Sequence, residues 1–139
     1  MLQKTVELIC RKTGWKQPAP SAEGVYAFSL DKELSFQVFS PDTRHLFMES
    51  TLFTPAPGST LEAERAAALL KMNAARAAKQ KSVLALAENN GSLVLFQKIP
   101  LKDTADVLIL DSLEHFLNDA EFWQTQMSVS AKGFYAPKS

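Results

Sequence analysis

Apolar positions along this chain repeat with a helical period, then with a period of two, and then run through both again. Leu2, Val6, Ile9 and Thr13 fall on one helical stripe with Cys10 beside them, and Gly14 stands where a glycine ends a helix. The stretch "KQPAPSAEG" then breaks regular structure, because its prolines remove backbone donors and favour an extended chain. Three alternating runs follow. "VYAFSL" (25–30) alternates Tyr26, Phe28 and Leu30 with smaller residues, and "LSFQVF" (34–39) sets Leu34, Phe36 and Val38 against Ser35, Gln37 and Phe39. "HLFMESTLF" (45–53) sets Leu46, Met48 and Leu52 against Phe47, Glu49, Thr51 and Phe53. Short polar connectors make this an antiparallel meander. Phe39, Phe47 and Phe53 fall opposite the main core stripe. Either a second layer of the same subunit covers them, or they line an exposed apolar groove.

After the break "TPAPGS", Ser59 and Glu62 form an S-x-x-E capping box, and the helix it opens runs to about Gln80. At roughly 100° per residue, Leu61, Ala68, Leu69, Met72 and Ala75 share one face. Ala63, Ala66, Ala67, Leu70, Ala74 and Ala77 share the opposite face, with charges between. A surface helix needs one apolar stripe, so two stripes predict two neighbours: the helix's own sheet and a second copy of the chain. Alanine is also the best helix former, which is the plainer account of the second stripe. A hairpin follows, with strands at 82–88 and 92–99, a turn at Asn89-Asn90-Gly91, and Pro100 as its end. Asp103 is placed to cap a last helix, whose stripe is Ile109, Leu113, Phe116, Leu117, Ala120, Trp123 and Met127. The stretch 128–139 has no clear periodicity and is expected to be a mobile tail, leaving one domain over 1–127. The element order is α-β-β-β-α-β-β-α, an α+β pattern.

Composition narrows the partners. The chain is 46% hydrophobic and 22% charged, an ordinary globular balance that argues against wholesale disorder. Fifteen basic residues offset fifteen acidic ones, so no overall field favours nucleic acid or an anionic membrane. No apolar run is long enough to span a bilayer, and "MLQKTVELICRKTGW" has no apolar core of a secretory signal. One cysteine, Cys10, makes no internal disulfide and suits a reducing cytoplasm.

The residue types that carry catalysis are scattered. His45 and His115 lie on different elements with no second histidine or cysteine at ligand spacing. Cys10 reads as a small core residue rather than a nucleophile. Asp106, Asp111, Glu114 and Asp119 are explained by a solvated helix face. No phosphate loop, G-x-S-x-G or H-E-x-x-H is present, and "GWKQPAP" and "KGFYAPK" do not amount to a nucleic-acid patch. The expectation is a protein without catalytic residues, metal or cofactor.

Residues 61–124 resemble the class I type III secretion chaperones, the Tir chaperone (CesT-like) family. The resemblance rests on "LL-x-x-N" at Leu69, Leu70 and Asn73, and on "G-x-L-V-L" at Gly91, Leu93, Val94 and Leu95. Leu113, Phe116, Ala120 and Trp123 supply the family's "L-x-x-F-x-x-x-A-x-x-W". It extends loosely to the first helix and meander. The resemblance implies a twisted antiparallel five-stranded sheet with three helices, acting as a cytoplasmic homodimer. It implies a dimer interface on the second helix and fourth strand, here Ala63, Ala66, Ala67, Leu70, Ala74, Ala77, Leu84 and Leu86. It also implies that the first helix and sheet hold the N-terminal region of a secreted effector in extended form, by strand addition and side-chain pockets. Val6, Ile9, Phe28, Phe39, Phe47 and Phe53 are the residues expected to do so. Relatives are usually acidic; the balanced charge here opens service to several effectors, or contact with the secretion ATPase. The alternative is a chaperone-like regulator that sequesters a cytoplasmic partner.

Overall fold

The computed structural model describes residues 2–30, 34–54, 58, 60–76, 81–87 and 91–135, with side chains through Gln126. Helix α1 (Leu2–Thr13) ends where the sequence predicts: Gly14 takes a φ of 79° and its amide donates to the Cys10 carbonyl at 2.9 Å. That bond satisfies one of the carbonyls a helix end leaves open, in a conformation that costs glycine little. Strands β1 (Tyr26–Ser29), β2 (Ser35–Phe39) and β3 (His45–Phe53) form the meander. Helix α2 (Thr60–Arg76) follows, then β4 (Val83–Leu86), β5 (Leu93–Pro100) and α3 (Asp106–Tyr135). Ser59 of the predicted capping box, the helix end at 77–80, and Asn89-Asn90 of the turn lie outside the described residues.

The five strands make one antiparallel sheet in the order β1-β2-β3-β5-β4. Register decides which residues become core. Tyr26 pairs with Val38, Val38 with Met48, Leu46 with Ile99 and Leu84 with Leu95, so these side chains share one face. All belong to a single buried cluster with Val6 and Ile9 of α1, Leu69 of α2, and Ile109, Leu113, Phe116, Ala120 and Trp123 of α3. All three helices therefore pack on one face, and the architecture is two layers, α+β as predicted. Phe28 and Phe36 stack at 4.9 Å, with Trp15 against both rings at about 6 Å and Phe116 closing from α3 at 6.5 Å.

Three details depart from the sequence pattern. Asp103 does not cap α3. It sits at a φ of 60°, and the Leu108 and Ile109 amides donate instead to the Ala105 carbonyl, which sets the helix start two residues later. The last helix also continues to Tyr135, past its periodic stripe; no proline interrupts the chain before Pro137, and Gly133 alone costs a helix only about 1 kcal/mol.

The third departure concerns the inward face of α2. Arg65, Ala66, Leu69 and Asn73 are buried, whereas Leu61 (37% exposed) and Met72 (39%) of the predicted sheet-facing stripe are not. The buried stripe runs between the two predicted ones because its polar members have partners. The Arg65 guanidinium lies 5.4 Å from the centre of the Phe53 ring, and Asn73 Oδ1 accepts from the Leu84 amide of edge strand β4 at 3.4 Å.

Candidate protein-binding surfaces

The sheet face away from the helices carries Phe39, Phe47, Val94 and Phe96, all half-buried. Phe39 and Phe47 are cross-strand partners and stack with centroids 5.5 Å apart. Phe47 pairs with Lys98, and Glu49 with Phe96, so one base and one acid punctuate the apolar patch. Among the described residues the helices' core side chains all meet the opposite side of the sheet, so no helix stripe packs on this face.

The turn at the end of β2 aligns that ring pair. Asp42 Oδ1 accepts from the Arg44 and His45 amides, each at 2.9 Å, and the His45 ring donates Nδ1–H to Asp42 Oδ2 at 2.7 Å. These bonds, the imidazole's first and the two amides' after it, lower the Asp42 carboxyl from 3.8 to about 2. The folded value lies below the unfolded one. The contribution to stability is therefore complete above the unfolded value and is lost as pH falls through about 2. The Arg44 and His45 amide resonances should titrate with a midpoint near 2; a midpoint near 4 would show that these bonds do not hold the turn.

Three of the expected effector-binding residues are not on a surface. Val6, Ile9 and Phe28 are 0%, 0% and 4% exposed and tie α1 and β1 to the core. A helix with a single apolar stripe spends it on its own sheet, a signal the α1 sequence already carried. Phe53 does not join Phe39 and Phe47. An extra residue in β3 between Thr51 and Phe53 sets Phe53 opposite the core residue Leu93, and it packs at the rim of the core under Arg65. Such a bulge flips every later side chain to the other face, and strict alternation in "STLF" conceals it.

The other surface is formed by α2 and β4. Ala63, Ala67 and Ala74 are exposed, Leu70 is half-buried, and Leu86 of β4 is 47% exposed, while Val83 (42%) pairs with Phe96 and belongs to the other sheet face. Ala66 (3%) and Leu84 (4%) belong to the subunit's own core, and Ala77 lies outside the described residues. Leu61 and Met72, also exposed, lie on the opposite side of α2 from the alanines, so Leu86 is the exposed large apolar side chain of β4 on the helix side of the sheet.

Titratable groups do not converge. Among the described residues, no three of His, Cys, Asp and Glu lie close enough to hold a metal ion. Burial pushes the Cys10 thiol up, away from nucleophilic chemistry. His115 stands in the open beside Asp111 at 3.5 Å. Among the described residues no helix is long and apolar enough to cross a membrane.

Helices confined to one face of an open antiparallel sheet, with apolar surface left on the other face and on one helix, define a protein-binding module. A family model settles which kind. Residues 5–124 match the Tir chaperone protein (CesT) family, and the chain belongs to that family of type III secretion chaperones. Solved structures share the fold at low identity. A chain of the ExsC–ExsE complex is 17% identical with a TM-score of 0.65, over 90% of this chain and 94% of that one. A chain of the HopA1–SchA chaperone–effector complex is 14% identical with a TM-score of 0.61, over 88% and 92%. The structure of the Yersinia pestis type III secretion chaperone SycH with a fragment of YscM2 gives 12% and 0.59, over 88% and 98%. Curated protein sequences gave no match.

Proposed function

We propose that this protein is a dimeric chaperone that holds the N-terminal region of a type III secreted effector extended and ready for export. The observation that carries the reading is the partly exposed apolar patch centred on the Phe39–Phe47 stack, on the sheet face away from the helices, in a chain of this family. Apolar surface that a subunit leaves exposed marks a site of association. A segment laid across this face meets rings and a short polar rim, and β1 offers its outer backbone groups as a free sheet edge. Chains with this fold occur in the HopA1–SchA chaperone–effector complex and the ExoT–SpcS complex from Pseudomonas aeruginosa, which supports an effector as the occupant. The second copy is assigned to the alanine stripe of α2 around Leu70, with Leu86 of β4, which is 47% exposed and lies on the helix side of the sheet.

The test is capture of bound proteins by the tagged chain from its native cells under secretion-inducing conditions, beside the double variant Phe39→Asp/Phe47→Asp. Both rings are partly exposed, so the variant should fold. The expected result is one or a few exported proteins held through their N-terminal regions, with retention by the variant reduced at least about tenfold. Capture of only a resident cytoplasmic regulator would replace this reading with sequestration.

A further inference from the structure

The sheet has two edge strands, β1 and β4, and their outward backbone groups differ. On β4 the Ala87 amide donates to the Ser92 carbonyl at 2.9 Å, toward the β5 side. Alternation along an antiparallel strand then turns the amides of Val83 and Ala85 to β5, and those of Leu84 and Leu86 away from it. On β1 the Leu30 amide donates to the Leu34 carbonyl at 2.7 Å, so by the same alternation Ala27 and Ser29 face outward. Both are exposed, and no partner takes their outward groups among the described residues. Leu84 is different. Its outward amide donates to Asn73 Oδ1 at 3.4 Å. Asn73 is 8% exposed and continues the inward stripe of Ala66 and Leu69, at a position where helical spacing would place an apolar residue. A second bond, from Ser82 Oγ to Asp119 Oδ2 at 2.6 Å, ties the entry of β4 to α3.

We propose that Asn73 closes the β4 edge, so that neither a second copy nor a client segment continues the sheet there and the two copies meet through the side chains of α2 and Leu86. The proposal rests on the dimeric reading and names the residue that sets its mode of association. An open strand edge is a template for any extended chain, and folded proteins cover such edges or leave them short. β4 is only four residues long, and its outward amides are those of Leu84 and Leu86. The Asn73 oxygen lies where the carbonyl of an added strand would have to sit to reach Leu84. A leucine at position 73 would suit the helical stripe equally well, yet it would leave that amide without its acceptor and available to another chain.

The test is amide hydrogen exchange on the full chain, beside Asn73→Leu, Asn73→Asp and Leu70→Glu. Aspartate keeps an acceptor oxygen at the same reach, and leucine keeps the volume without it. In the parent, the Leu84 amide should exchange at least about a hundredfold more slowly than those of Ala27 and Ser29. It should stay slow in Asn73→Asp, and also in Leu70→Glu, because the bond lies within one subunit. In Asn73→Leu it should become fast while the Ala85 amide, which faces β5, keeps its protection. A second readout is a peptide with the sequence of residues 82–88, SVLALAE. Asn73→Leu should bind it at least about tenfold more tightly than the parent, and the same peptide N-methylated at alternate residues should not bind. The proposal is overturned if Leu84 exchanges as fast as Ala27 and Ser29 in the parent, if it stays slow in Asn73→Leu, if it becomes fast in Leu70→Glu, or if parent and Asn73→Leu bind the peptide alike. Should Asn73→Leu fail to fold, the Leu84 rates in the parent, Asn73→Asp and Leu70→Glu decide. Failure of the dimeric reading shows separately, as a parent chain that light scattering finds to be a monomer.

Discussion

Trp123→Ala is expected to lower stability by about 3–5 kcal/mol, seen as a lower urea midpoint with an unchanged slope. Trp123 is 0% exposed in the cluster that joins α3 to the sheet, and Phe122 packs edge-on against it at 5.1 Å. Removing an indole there leaves a void that surrounding side chains only partly fill, because the cluster draws on three helices and five strands that constrain one another. The companion Trp123→Phe separates packing from polarity. The indole Nε1 is buried with no hydrogen-bond partner among the described residues, so losing that N–H forfeits no bond. Trp123→Phe should therefore cost less than half as much as alanine. Equal losses from the two substitutions would mean that the N–H, not the ring volume, holds this position.

Leu70→Glu carries the second large effect, on association rather than folding. Leu70 is half-buried within the subunit, beside the exposed Ala63, Ala67 and Ala74 on one side of α2. Alanines let a second helix approach closely, and a carboxylate placed in that contact without a partner costs several kcal/mol. A penalty of about 3 kcal/mol weakens a dimer on the order of 100-fold. Light scattering should find the parent chain as a dimer and Leu70→Glu as a monomer of unchanged circular dichroism. A variant that still runs as a dimer would remove α2 from the interface, leaving the sheet-face reading to stand on client capture alone.

Local pattern was enough for most of the fold. Gly14 marked the end of α1, the period-two runs found β1, β2 and β3 to within a residue or so, and the stripe of α3 named Ile109, Leu113, Phe116, Ala120 and Trp123 as buried. The motifs at Leu69–Asn73, Gly91–Leu95 and Leu113–Trp123 pointed to the family that residues 5–124 match. These features are legible because each is written in residues close together in the chain. The candidate site was read less well. Phe39 and Phe47 do fall opposite the core stripe, while Val6, Ile9 and Phe28 turned out to be core and Phe53 to lie beyond a bulge.

By itself, then, the sequence determined the elements, their order and the family, because hydrophobic period and turn chemistry act over a few residues. Tertiary structure alone decided which surfaces stay open. Periodicity says which side chains share a face, but not whether another layer covers that face. Nor does it show that Arg65 and Asn73 can turn inward once Phe53 and the Leu84 amide receive them, or that one extra residue in β3 reverses its last ring. The hollow lined by Lys4 and Arg11 of α1 and by Asp103 and Asp106 beside the start of α3 belongs to the same class of fact, because about a hundred intervening residues must fold the chain back on itself to form it.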